Sequence, residues 1–180
     1  MIGELEYFGQ YTKEESDSGH LYLLEVPSAD LIPDRLELVS RYFICMIVQD
    51  ALGVSDETLN RTARKLLSNG AVYFCAFGPD CERVHDRIDD QIRDMNLEDN
   101  DEERLILTTW HSSEPLEDAL WYFLYSSSPS EAYWSQCNSW VLVSIGAHSL
   151  SAEIRAAFSN VEQFNETVLA KIPDDEEEES

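Results

Sequence analysis

Residues 42–48 read YFICMIV, the first of four short apolar runs that share one pattern. Each run is rich in β-branched or aromatic residues and is followed by a polar turn, then by a segment with the apolar spacing of a helix. Strands buried on both faces of a parallel sheet have this composition. The other three runs cover residues 72–77, 105–109 and 140–145. The repeat of strand and helix predicts an α/β fold.

The helix-start signals support the same interpretation. Ser55 can cap a first helix, and Asp56 and Glu57 then complement its dipole. Further helices are expected at about 80–95, after Ser112 or Ser113, and after Ser151, while residues 21–26 suit an additional strand. We therefore expect a three-layer α/β sandwich with a mainly parallel sheet of four or five strands, in the Rossmann-like or flavodoxin-like class.

The chain length of 180 residues suits one domain with a single core. Residues 1–20 are polar and acidic, so we expect an irregular N-terminal arm there. Residues 21–172 hold all the strand and helix signals and are predicted to form one α/β domain. Residues 173–180 are almost entirely acidic, a composition typical of a disordered tail.

Charge is the second strong signal in the sequence. Asp and Glu total 36 against 12 Lys and Arg, which gives a net charge of −24. Such a charge repels nucleic acid and anionic membranes and attracts basic proteins. Three explanations stay open: a plain acidic protein, adaptation to high salt, or capture of a basic partner.

The cellular compartment follows from what the sequence lacks. No apolar stretch approaches the roughly 20 residues that a membrane helix needs, and the N-terminus has no basic, apolar signal pattern. The four cysteines form no CxxC pair, and Cys45 and Cys75 lie inside predicted strands, as buried reduced thiols do. We expect a cytoplasmic protein without a membrane partner.

The densest group of reactive side chains follows the second apolar run, where residues 78–86 read GPDCERVHD. Cys81 falls in the first turn of a predicted helix, where a thiol pKa is lowered, and His85 lies one turn further on. With Asp80 orienting them, the two could form a thiolate–imidazolium pair or supply two zinc ligands. Both positions also continue an apolar stripe, so simple packing on the sheet is the competing interpretation.

Other polar residues follow the remaining strands, and the carboxyl ends of parallel strands meet at one edge. His111 is predicted there as a second base or a third zinc ligand beside Cys81 and His85; no other cofactor is predicted. The further candidates for this edge are Asp50, Gly78, Trp110, Glu114 and His148. No GxGxxG or GxxxxGK[ST] motif occurs, which removes support for dinucleotide and P-loop sites.

Aromatic residues are dense in the second half of the chain. Tyr133 and Trp134 lie in a polar loop before the fourth run. Exposed aromatic side chains anchor protein interfaces, so these two residues are predicted to contact a partner.

Three motifs carry a resemblance to a known group of proteins. They are GPDCE at 78–82 with His85 and Asp86, TTWH at 108–111, and EPL at 114–116 followed by ALW at 119–121. The pattern resembles an uncharacterised bacterial protein family over about residues 40–147. That family has no known activity, cofactor or partner to transfer, so the resemblance implies only that this edge of the fold is functional.

The sequence is compatible with two functions. The first is a non-catalytic binding or regulatory protein that engages a basic protein partner, for example as an immunity or antitoxin-like inhibitor. The second is a small enzyme or ligand sensor, with Cys81 as nucleophile or metal ligand, His85 or His111 as base, and Asp80 as orienter. The two differ in whether Cys81, His85 and His111 share a solvent-accessible pocket.

Overall fold

The structure is a computed structural model that describes residues 3–14, 17–97 and 104–171. Its strands are β1 (Leu5–Glu14), β2 (Asp17–Val26), β3 (Tyr42–Gln49), β4 (Ala71–Phe77), β5 (Leu107–His111) and β6 (Cys137–Ile145). Its α-helices are α1 (Asp56–Ser68), α2 (Cys81–Asp94), α3 (Leu116–Trp121), α4 (Ser151–Ser159) and α5 (Val161–Leu169).

All the strands described lie in one sheet of six, in the order β1-β2-β6-β3-β4-β5. β1 and β2 pair antiparallel, and the other neighbours pair parallel. The predicted mixture of helices with a mainly parallel sheet is confirmed, although the sheet has more than the expected four or five strands. The four apolar runs correspond to β3, β4, β5 and β6.

Successive residues of the central strands belong to two different apolar clusters, as the two-residue repeat of a strand requires. In β3, Phe43, Cys45 and Ile47 pack with α1 and α2. Ile44, Met46 and Val48 pack with α3, α4 and α5. Both faces of the central strands are therefore covered by helices, which explains why these runs are almost entirely apolar.

The N-terminal segment corrects one expectation. The predicted irregular arm is largely strand, because β1 and β2 form a hairpin that extends the sheet. Its polar composition suits an edge strand, in which one face packs and the other meets solvent. Phe8 packs against Phe158 at a ring separation of 5.5 Å and Tyr11 against Trp140 at 5.8 Å. The predicted acidic tail, 173–180, lies outside the described residues.

The third apolar run is displaced from its predicted place. β5 covers residues 107–111 rather than 105–109, so Trp110 and His111 belong to the strand and not to the loop after it. Side chains alternate between the faces of a strand. Consequently Trp110 and His111 project to opposite sides of the sheet.

Candidate functional site

The loops at the carboxyl ends of β3 and β4 are joined by Arg83 on α2. Its guanidinium donates to the carbonyls of Ala51 at 2.7 Å and Val54 at 3.0 Å. It also forms ion pairs with Asp56 at 2.6 Å and Asp80 at 2.7 Å. These contacts raise the pKa of Arg83 above its usual value. Asp80, predicted to orient a catalytic pair, therefore holds a structural arginine.

Two other predicted edge residues also shape these loops. Asp50 is exposed and its carboxylate accepts a hydrogen bond from the amide of Leu52 at 2.9 Å, which closes a local turn. Gly78 has a φ of 118°, and the carbonyl oxygen of Gln49 lies 2.2 Å from where a Cβ would stand. Only glycine allows the two backbones to approach this closely.

Cys81 is buried, with 1% of its surface exposed, and it belongs to the cluster between the sheet and α1 and α2. Burial raises the pKa of its thiol, although backbone amides, among them that of His111, act in the opposite direction. The expected lowering of the pKa at a helix start is thus outweighed by desolvation. Packing on the sheet, the competing interpretation, describes this cysteine.

His85 lies on the outer part of α2, against β5. Its ring and that of Trp110 are 4.6 Å apart, centroid to centroid. Its Nδ1 is 3.3 Å from a carboxylate oxygen of Asp86, and its Nε2 is 3.6 Å from one of Asp89. The imidazole is therefore enclosed by an indole and two carboxylates.

His111 lies on the other side of β5. Its Nδ1 contacts the carboxylate of Glu114, and its Nε2 is 3.3 Å from the hydroxyl of Thr109. The ring packs against Tyr122 with a centroid separation of 4.8 Å. His111 is buried and these contacts fix its orientation. Glu114, predicted at this edge, is its partner.

The structure therefore does not bring Cys81, His85 and His111 together as a catalytic or zinc-binding set. In the ranges that the structure describes, no three His, Cys, Asp or Glu side chains are placed to hold a metal ion. His148 is distant as well, because it follows β6, and two strands separate β6 from β5. At about 4.8 Å per strand, that separation is roughly 14 Å.

What the structure does assemble is a continuous surface along α2 and the outer strand β5. We call it the α2–β5 face and define it by His85, Asp86, Asp89, Ile92, Thr108 and Trp110. The hydroxyl of Thr108 donates to Asp89 at 2.8 Å and joins the two elements. An open cavity of about 460 Å³ continues this face, and it is lined by Asp89, Ile92, Arg93, Ile106, Leu107 and Thr108.

Trp110 is the most prominent side chain of the α2–β5 face, with 45% of its surface exposed. The carboxylates of Asp86 and Asp89, which lie near the ring nitrogens of His85, are 58% and 42% exposed. Asp90, one residue further along, is already paired with Arg87 at 2.8 Å and with Arg93. Within the described residues, Asp86 and Asp89 pair with no Lys or Arg, so their negative charge faces outward.

The two predicted interface residues, Tyr133 and Trp134, differ in their exposure to solvent. Tyr133 is buried and packs edge to face on Tyr42 at 4.9 Å, which corrects its assignment to an exposed surface. Its ring packs in the core between the sheet and helices α3, α4 and α5. Trp134 is 60% exposed, and its indole N–H donates to the carbonyl of Pro129 at 3.0 Å. Its role at an interface stays a prediction.

Sequence reasoning missed Asp89 and Thr108 as members of a site. One signal for Asp89 was available, because Asp89 follows His85 by four residues and so shares its helix face. Thr108 belongs to the TTWH motif at 108–111, but its contact with Asp89 could not be predicted, since it depends on the placement of β5 beside α2.

Comparison with known proteins gives a family but no function. The model of a domain of unknown function, DUF7684, matches residues 21–161, and the chain belongs to this family. No curated protein matches the chain. No solved structure matches it either. Among the helices described, none has the length and apolar character required to cross a membrane.

Proposed function

Starting from a family without an assigned activity, we propose that this DUF7684 chain is a non-catalytic binding protein that captures a basic protein partner on its α2–β5 face. The observation that carries the proposal is the placement of Trp110. Its exposed indole packs on His85, whose ring nitrogens face the outward carboxylates of Asp86 and Asp89. Thr108 and Asp89 continue this face into an open cavity at the outer strand of the sheet.

The chemistry of this face suits a lysine or arginine side chain. A cation over an indole gains about 0.5–1 kcal/mol at an exposed site and about 2 kcal/mol when water is excluded. Asp86 and Asp89 can pair with the same cation. Each exposed ion pair adds only about 0.2–1 kcal/mol, so Trp110 supplies the anchor.

The net charge supports a protein partner rather than nucleic acid. At −24, the chain repels phosphate backbones and draws basic proteins toward it before contact. An immunity or antitoxin-like inhibitor is one concrete form of such a protein. The covering of both sheet faces by helices supports the three-layer sandwich as the finer description of the fold.

Native mass spectrometry of the protein, purified at low salt from its own host, tests this function. We expect a stoichiometric basic protein with the wild type, its loss with Trp110→Ala, and its retention with Trp134→Ala, which removes the other strongly exposed indole. The complex should dissociate at about 0.5 M salt, where charges are screened beyond roughly 4 Å. A complex that survives Trp110→Ala, or a wild type that carries no partner, would refute the proposal.

A further inference from the structure

The two edges of the sheet differ in how they are protected against pairing with another strand. β1 forms one edge and β5 the other. Natural edge strands carry bulges, charges or prolines that prevent unwanted pairing. A strand that lacks all of these devices is open to addition of a further strand.

β1 has two of the protective devices. Its pairing with β2 shifts register between Tyr7 and Gly9 and again between Thr12 and Glu14. Gly9 takes a φ of 109°, which interrupts the regular strand. Glu6 and Lys13 add charge along the same strand. A partner strand cannot follow β1 without interruption.

β5 has none of them. Its sequence, LTTWH, contains no proline and no Asp, Glu, Lys or Arg, and consists mainly of residues that favour strands. It pairs with β4 in unbroken register over all its residues, from Tyr73 opposite Leu107 to Phe77 opposite His111. In the part of the chain that the structure describes, no strand pairs with its outer edge.

We propose that the partner binds by adding a β-strand to the outer edge of β5, and that this strand alternates basic and apolar residues. The inference rests on the proposed function and specifies how the same surface is used. Side chains of an added strand would share faces with those of β5. On one face they meet Trp110, Thr108 and the carboxylates of α2; on the other they meet Leu107, which is 36% exposed.

Charge decides between a basic strand and a second copy of this chain. Two copies joined through β5 would bring together two molecules of net charge −24. Asp86 and Asp89 would then face a strand without a basic residue. A strand with lysine or arginine on the α2 side satisfies both carboxylates and the indole, so this occupant is the one proposed.

A set of four capped nine-residue peptides tests the inference with the full chain in solution. The parent alternates lysine with valine or threonine, and a charge-reversed peptide has glutamate in place of lysine. Two further peptides carry N-methyl groups on alternate backbone nitrogens, one on the odd positions and the other on the even positions. An added strand presents only one of these sets to β5, so each methylated peptide is the control for the other.

We expect the parent to bind, to slow amide exchange of β5 residues in NMR spectra, and to lose at least tenfold in affinity with one methylation pattern only. The charge-reversed peptide should not bind. Equal binding by both methylated peptides, with shifts at Trp110 and Asp89, would overturn strand addition while leaving capture by side chains intact. Absence of parent binding at about 1 mM, or dimerisation of the free chain through β5 in sedimentation experiments, would also overturn the inference. Failure of the proposed function itself is seen separately, as a native complex that does not depend on Trp110.

Discussion

The imidazole of His85 and the indole of Trp110 pack edge to face, 4.6 Å apart, on the side of β5 opposite His111. This contact divides the predicted cluster in two. His85 joins a surface that faces outward, whereas His111 joins the packing beneath α3. The consequence is that the two histidines do not share one pocket.

Arg83 is predicted to contribute strongly to stability, because one guanidinium joins two loop carbonyls and two carboxylates. Hydrogen bonds to charged groups contribute about 1.5–3 kcal/mol each, and partly exposed ones less. Arg83→Met should lower the free energy of unfolding by about 2–3 kcal/mol, measured by urea denaturation. Arg61→Met, which removes an exposed pair with Asp30 at 2.6 Å, is the control and should cost less than about 1 kcal/mol. Equal losses in the two variants would show that the Arg83 contacts do not join the loops.

Gly78 should not tolerate a side chain. Gly78→Ala forces a Cβ to within 2.2 Å of the Gln49 carbonyl at a φ of 118°, so the two strand ends must separate. Gly53, with a φ of 77° and nothing within 4 Å, offers a matched comparison in which only backbone strain applies. We expect about 1 kcal/mol for Gly53→Ala and at least about 3 kcal/mol for Gly78→Ala. Thermal and urea unfolding measure both, and similar costs would contradict the close approach.

Cys81 should behave as a core residue. Burial raises its thiol pKa, so a thiol reagent at pH 7.5 should modify it only as fast as the chain unfolds, and urea should accelerate the reaction. Cys81→Ala should cost about 1–2 kcal/mol, as small core truncations do. Rapid modification of Cys81 in the folded protein, identified by peptide mapping, would contradict this and restore the enzyme hypothesis.

The sequence predicts the parts of this fold that depend on local pattern. The apolar runs identify β3, β4 and β6, and the cap at Ser55 is found, since its hydroxyl accepts from the Thr58 amide at 3.2 Å. The prediction of a single helix at the C-terminal end of the domain is wrong. Its apolar spacing continues through residues 154–168, yet the chain breaks into α4 and α5, and Asn160 caps the second by accepting from the Gln163 amide. Asparagine is a strong capping residue, so this signal was present but was outweighed by the periodicity.

The candidate site could not be predicted in the same way. It depends on the order of the strands and on where β5 begins, which is two residues later than predicted. The sequence does not show that β3 and β4 lie between β6 and β5, or that Thr108 lies beside Asp89. A displacement of β5 by one residue would exchange the faces of Trp110 and His111. Residue types near the site were therefore identified, while their grouping was not.

Glu25 should make stability depend on pH in the acid range. Burial alone would raise its pKa, but hydrogen bonds from Ser151 and Arg155 outweigh burial and hold the pKa below its usual value of 4.5. A carboxylate with a lowered pKa stabilises the folded state fully above its unfolded pKa, and this contribution is lost as the pH falls through the folded pKa. Unfolding free energies of the wild type should therefore fall more steeply below about pH 4.5 than those of Glu25→Gln. Identical slopes for the wild type and Glu25→Gln would refute the prediction.

Salt separates the explanations of the acidic composition. Under the proposed function the fold is stable in dilute buffer, and only binding weakens as salt rises. Asp86→Asn with Asp89→Asn should reduce affinity for the lysine-containing strand peptide about tenfold and flatten its salt dependence, because two exposed charges are removed from the contact. A matched pair, Asp118→Asn with Glu162→Gln, makes the same charge change on the opposite side of the sheet and should alter affinity by less than about twofold. Isothermal titration calorimetry at several salt concentrations measures both. A chain that unfolds in dilute buffer and recovers in concentrated salt would instead assign the acidic composition to salt adaptation.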